Sequence, residues 1–195
     1  GQYLEGTTDV TRTLVKGKAS AEQKFFYTKV LQGLICLSKL RWPAGLTGKE
    51  LDPLARYFLW EHSLDYDHGT GHGVGVFSNV HQGPQGITRL NKIPLESGMI
   101  LSIEPGIYLE GKLGIRLENL VYVKKPNRVK REKREFLEFE TLTLVPFEKN
   151  LIERKLLGKD DLQWLDSYHQ NVYKKLSPYL VGGERKWLSK ACEKL

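Results

Sequence analysis

Apolar positions recur along the chain with two periods, and the switch between them marks out its elements. Ser20 and Gln23 form a capping-box pair, after which Phe26, Val30, Leu34 and Leu37 make an apolar stripe, predicting a helix. Thr47 and Glu50 repeat the box before Leu51, Leu54, Ala55, Phe58 and Leu59. Both helices read as amphipathic and need a sheet or another helix to cover one face. Period-two runs follow in "MILSIEPGIYL" (99–109), "GIRLENLVYVKK" (114–125) and "FLEFETLTLVPF" (136–147), which predict three strands. At the start, a turn at Gly6 and the β-branched Thr7, Thr8, Val10, Thr11 and Thr13 predict the second half of a hairpin, in a chain expected to be truncated. Beyond Pro146, Leu162, Leu165, His169, Val172 and Leu176 predict a helix, and Trp187, Leu188, Ala191 and Leu195 a last short one. The fold class is α+β, with a helical C-terminal appendage from about residue 150.

Some strand positions break the apolar pattern. Met99, Leu101 and Ile103 share one face, while Glu104 ends the opposite face just before a proline and a glycine. In the next strand Arg116 and Glu118 stand side by side opposite Ile115, Leu117, Val121 and Val123, and Asp9 is set among threonines. Each residue singly reads as an exposed charge. Three acids in three β-rich segments are harder to dismiss, because burying carboxylates is costly unless they are paired or bound to metal.

"DHGTGHGVG" (67–75) adds imidazoles. His68 and His72 have the i, i+4 spacing of a helical zinc motif, but each glycine costs about 1 kcal/mol in a helix relative to alanine, so a helix is improbable. Alternate glycines instead predict an extended segment that another backbone or a ligand approaches closely. Several carboxylates with one imidazole suit two divalent ions such as Mn²⁺, Co²⁺, Fe²⁺ or Zn²⁺, whose shared water is a hydroxide nucleophile at neutral pH.

Composition changes little in this picture. The 195 residues are 40% hydrophobic and 27% charged, ordinary for a soluble globular protein, with no bilayer-spanning run and no signal-peptide pattern. Cys36 and Cys192 are far apart and form no CxxC, which suits a reducing compartment. Much of the +7 net charge lies in "KKPNRVKREKRE" (124–135), which lacks aromatics and reads as a solvated hairpin tip, with no nucleic-acid role.

The ordered motifs "TTDVTRT", "HGTGHGVGVFSNVHQGP", "SIEPGIY" and "GIRLENLVYV" resemble the catalytic domain of Xaa-Pro aminopeptidases, in the pita-bread metallopeptidase family M24. The tail resembles the C-terminal extension of the long, cytosolic type. The resemblance implies a pita-bread (creatinase/aminopeptidase-like) catalytic domain over 1–149, partial at its N-terminus, and a helical extension over 150–195. It implies two divalent metal ions, Mn²⁺ foremost, held by Asp9, His72, Glu104 and Glu118, with Asp9 and Glu118 bridging. His68 and His81 then hold substrate and move protons, Glu118 shuttles a proton, and Arg116 orients the acidic ligands. The family's first ligand, an aspartate eleven positions before Asp9, falls upstream of Gly1, so the chain alone is expected to be inactive. The implied substrates are peptides with proline at the second position. The implied location is the cytoplasm, without membrane association, and the implied assembly is a homodimer of the full-length protein, with Trp164, Tyr168, Trp187 and Leu188 at or near the interface.

Two rivals stand beside this reading. A prolidase-like dipeptidase shares the motifs and differs in substrate length. A non-catalytic pita-bread binding module shares the scaffold, but retention of Asp9, His72, Glu104 and Glu118 argues against it.

Overall fold

The structure, a computed structural model, describes residues 1–77, 79–126 and 134–195. The chain divides into two compact units, one of residues 1–11 and 29–143, the other of residues 12–28 and 144–195. In chain order the elements are α1 (Ala21–Ser38), β1 (Arg41–Pro43), α2 (Gly48–Trp60), β2 (Gly71–His72), β3 (Gly86–Ile87), β4 (Ile100–Ile103), β5 (Gly106–Leu109), β6 (Leu113–Arg116), β7 (Asn119–Lys124), β8 (Phe136–Thr141), α3 (Lys159–Leu176) and α4 (Gly182–Ala191). The centre of the basic run, 127–133, lies outside the described residues.

The first unit is built on an antiparallel sheet of order β1-β8-β7-β4, with β2–β3 and β5–β6 as separate two-stranded ladders. Register follows the apolar alternation, pairing Leu101 with Val121 and Val123 with Phe139. Trp42 of β1 stacks obliquely on Phe139 of β8, ring centroids 4.5 Å apart. Both capping boxes form as expected. The Ser20 and Gln23 side chains exchange bonds with each other's backbone N–H, and Thr47 and Glu50 do the same.

The apolar stripes were drawn too narrowly. From Tyr27 to Ile35 every residue of α1 is buried, Lys29 and Gln32 included, so this helix is not amphipathic there. Its apolar residues fall on all sides rather than on one face. Gly33 admits the neighbouring helix, since a Cβ there would meet the Ala55 carbonyl of α2. On α2 the buried face is Leu51, Asp52, Ala55, Arg56 and Leu59, while Leu54 is exposed.

The strands are shorter than their apolar runs. The 99–109 run breaks at Glu104–Pro105 into β4 and β5, and the 114–125 run breaks at Leu117–Glu118 into β6 and β7. The third run pairs only to Thr141, beyond which the Leu120 N–H of β7 donates to the Thr143 hydroxyl and not to a ladder carbonyl. The N-terminal segment forms isolated bridges, Gln2 with Thr7 and Thr11 with Glu118, instead of a continuous strand. Among the described residues no strand pairs with it continuously, and β propensity alone does not make a ladder.

In the second unit, Leu165, Tyr168, His169 and Val172 of α3 are buried, as is Leu188 of α4. Trp164 and Tyr168 stack with centroids 5.3 Å apart, and the Tyr168 hydroxyl donates to the Val145 carbonyl. Trp187 is exposed. Among the described residues no helix is long and apolar enough to cross a membrane, and both cysteines are free thiols.

Candidate metal centre

The two strand breaks put Glu104 and Glu118 side by side. β4 pairs with β7 up to Ile103 and Asn119, so the residues just beyond, Glu104 and Glu118, leave the same end of the ladder. Both are buried. Thr11 brings in the third carboxylate. Its carbonyl accepts the Glu118 N–H at 3.0 Å and its hydroxyl donates to Glu118 Oε2 at 2.6 Å, which seats the segment carrying Asp9.

The glycine-rich segment supplies the imidazole. Gly71 and His72 form β2, and Gly73 bridges to Leu101. A Cβ on Gly71 would strike the Ser102 carbonyl, and one on Gly73 the Gln82 carbonyl. The expected close approach is therefore made by other backbone. None of the four glycines has positive φ, so their role here is space, not a left-handed turn. His72 is held by its own N–H donating to Ser102 Oγ at 3.0 Å, while Ser102 Oγ donates to Glu104 Oε1 at 3.1 Å.

Asp9, His72 and Glu118 each offer a ligand atom, and these atoms lie within 4.8 Å of one another. Glu104 joins them, with Oε1 3.2 Å from His72 Nε2, while Asp9 Oδ2 is 3.4 Å from the same nitrogen. His72 Nδ1 faces the Gly73 carbonyl at 3.0 Å and must donate to it, so the neutral ring carries its lone pair on Nε2. That lone pair faces two carboxylates, which is repulsive unless a proton or a metal cation sits between them. The buried Nε2 makes no hydrogen bond of good geometry. Burial lowers the His72 pKa, but bonds and charges of Glu104, Gly73 and Asp9 outweigh it and raise it overall. Burial pushes the Glu118 carboxyl up to about 7, against the Thr11 bond and with help from Glu104 and Asp9. The donor set thus fits a divalent cation bound by oxygen and one imidazole.

A second cluster borders the first. A cleft of about 300 Å³ is lined by His68, His72, His81, Thr88, Glu104 and Arg116, with Gly69 and Gly71. The exposed His81 ring lies 4.2 Å from that of His72, centroid to centroid. Arg116 Nη1 is 3.8 Å from Glu104 Oε2, and its Nε donates to the Tyr108 hydroxyl at 2.7 Å. His68 Nδ1 donates to the Gly69 carbonyl at 2.8 Å, so its Nε2 accepts the Tyr108 hydroxyl proton at 2.9 Å. One relay therefore runs from Arg116 through Tyr108 to His68. All seven residues singled out from the sequence (Asp9, His68, His72, His81, Glu104, Arg116 and Glu118) fall in these two clusters. Thr11, Ser102 and Tyr108 were not singled out. Thr11 and Ser102 sit two residues from Asp9 and Glu104, the same-face spacing of a strand, and Tyr108 sits four from Glu104.

The chain is similar to known proteins along its length. Residues 135–195 match the C-terminal region of peptidase M24. A probable Xaa-Pro aminopeptidase P from Laccaria bicolor is 47% identical over 203 residues, covering 100% of this chain and 31% of that protein. The chain thus spans under a third of the length of the curated relative. The crystal structure of X-prolyl aminopeptidase from Caenorhabditis elegans, described as a cytosolic enzyme with a di-nuclear active site, matches with TM-score 0.93 and 39% identity over 100% of this chain and 32% of that one. The Xaa-Pro dipeptidase from Bacillus anthracis matches with TM-score 0.59 and 32% identity, over 72% of this chain and 36% of that one. These matches bear out the α+β, pita-bread fold expected from the motifs. With residues 1–125 matching the family itself, the chain belongs to metallopeptidase family M24.

Proposed function

We propose that the protein to which this chain belongs removes the N-terminal residue from peptides with proline in second position. The observation that carries the reading is the convergence of Asp9, His72, Glu104 and Glu118 on one point beside the cleft of His68, His81 and Arg116. In this reading those four residues hold two divalent ions, Mn²⁺ foremost, with Zn²⁺, Co²⁺ and Fe²⁺ as alternatives. When bound, such ions supply Lewis acidity and lower the pKa of water toward neutrality.

The chain's own groups supply the rest. Glu118, set among Asp9 and His72, is placed to take and return a proton beside the cleft. His68 and His81 face the peptide across the cleft, and the Tyr108 hydroxyl holds His68 in one tautomer. Arg116 steadies Glu104. Selection of proline rests on shape, since the imide offers no N–H to a binding site. The cytoplasm is the proposed location, and a homodimer the proposed assembly.

A dipeptidase acting on Xaa-Pro is the rival that the Bacillus anthracis likeness favours. The match of residues 135–195 to the family's C-terminal region, and of the whole chain to the aminopeptidase structure, supports the aminopeptidase. The test is metal content and hydrolysis, with Mn²⁺, for this chain and for a version extended upstream of Gly1. Cleavage of Xaa-Pro-Xaa peptides in preference to Xaa-Pro dipeptides is expected of the extended protein. The reverse preference makes it a dipeptidase, and neither metal nor cleavage makes the scaffold a binding module.

A further inference from the structure

Beneath the cleft, α2 carries a buried ion pair that the proposed chemistry does not use. Asp52 and Arg56 are i, i+4 on the inward face of the helix, with side chains 0% and 3% exposed. Arg56 spends all five of its N–H donors. Nε and Nη2 grip Asp52 at 2.7 and 3.1 Å, Nη1 reaches Asp65 Oδ1 at 2.8 Å and the Tyr66 carbonyl at 2.6 Å, and Nη2 reaches the His68 carbonyl at 2.7 Å. Asp52 Oδ1 also accepts the Thr70 hydroxyl at 2.6 Å, and the Thr70 carbonyl accepts the Glu104 N–H at 2.7 Å. The Arg56 guanidinium lies over the Tyr66 ring, 3.9 Å from its centroid.

An ion pair this deep adds little net stability over an apolar pair of similar volume. Its bonds go instead to the backbone carbonyls of residues 66 and 68 and to the Thr70 hydroxyl, and the Thr70 carbonyl in turn holds Glu104. We propose that Arg56, clamped by Asp52, is a positioning residue that sets the backbone of residues 66–70 and thereby places His68 and His72 against Glu104. The planar fork is required, because a lysine ammonium has three donors and cannot make the five bonds to Asp52, Asp65 and the two carbonyls. The kinetic consequence rests on the peptidase reading; the structural one does not.

The test compares wild type with R56K and with D52L/R56M, in which an apolar pair replaces the charges. Amide exchange, Mn²⁺ titration, urea unfolding and Xaa-Pro-Xaa kinetics are measured on each, the kinetics in the extended protein. Exchange of the Glu104 and His72 amides is expected to quicken by about tenfold or more in both variants, while amides in β7 and β8 hold their wild-type rates. The unfolding midpoint of D52L/R56M falls modestly, since the Tyr66 and His68 carbonyls lose their donor while the apolar pair replaces the charges. With R56K, kcat falls roughly 10- to 100-fold with KM changed little. Unchanged exchange at Glu104 and His72 would overturn the proposal. So would uniform acceleration through β7 and β8, or failure of both variants to fold, since the pair is then a stability element. A wild type that binds no Mn²⁺ and cleaves nothing removes the peptidase reading, and the exchange data still decide the role of Arg56.

Discussion

His72 Nε2 lies 3.2 Å from Glu104 Oε1, with the other ring nitrogen already spent on the Gly73 carbonyl. An imidazole held this way against an acidic cluster suits a cation, and an occupant should stabilise the fold by mass action. Mn²⁺ at about 100 times its Kd adds roughly 3 kcal/mol, or a rise in Tm of about 5–10 °C. His72→Ala should abolish that rise. Glu118→Gln should abolish it too while costing the metal-free protein little, because burial already drives that carboxyl toward its neutral form. Differential scanning fluorimetry with and without Mn²⁺ reads both; a shift that survives His72→Ala removes the site.

Gly71→Ala tests why the segment is bare. Its Cβ would run into the Ser102 carbonyl, a backbone atom fixed by the β4–β7 ladder, and overpacking against such a wall costs about 1–3 kcal/mol. At Gly69 the nearest obstacle is the Thr88 methyl, which a rotamer change can move aside. Urea midpoints should therefore fall further for Gly71→Ala than for Gly69→Ala. Equal losses would mean that the glycines serve something other than this contact.

How much of this was legible depended on whether the signal was local. Capping boxes at Ser20–Gln23 and Thr47–Glu50 are complete within four residues and formed as read. The family motifs carried the acids and histidines that the fold draws together. The break after Glu104 was marked by the proline and glycine that follow it, whereas the one at Glu118 was not visible, and together they put Glu104 and Glu118 at one ladder end. Asp52 and Arg56 were missed because polar residues were assigned to the outer face of α2. Nothing near them in the sequence announces that residues 66–70 would need their hydrogen bonds.

Tyr108→Phe isolates the relay at the cleft. The hydroxyl accepts from Arg116 and donates to His68, and losing it removes two solvent-exposed hydrogen bonds that water can replace. The ring is 45% exposed, so stability should change by under about 0.5 kcal/mol. In the extended protein kcat for Xaa-Pro-Xaa peptides should drop about tenfold or more, with the rate then depending on a freer His68. Steady-state kinetics beside urea unfolding checks it. Unchanged kcat would mean that the orientation of His68 is set elsewhere.

The second unit carries its own pH response. His169 is fully buried, and its Nε2 accepts the Phe147 N–H at 3.1 Å, so the ring is neutral with its proton on Nδ1. Burial depresses its pKa to about 4, Lys149 and Arg12 push the same way, and Asp166 opposes them. Above the ordinary histidine pKa of about 6.5 both folded and unfolded forms are neutral, and this group's full contribution is present. As pH falls below that value the unfolded chain takes up a proton that the folded chain refuses. Stability drops until about pH 4, where the folded form also protonates, and levels off. The window corresponds to about 3 kcal/mol lost on acidification. His169→Gln keeps an acceptor for the Phe147 N–H and removes the titration, so urea unfolding between pH 7 and pH 4 should lose this part of its slope. An equally steep fall in the variant would place the acid sensitivity in other groups.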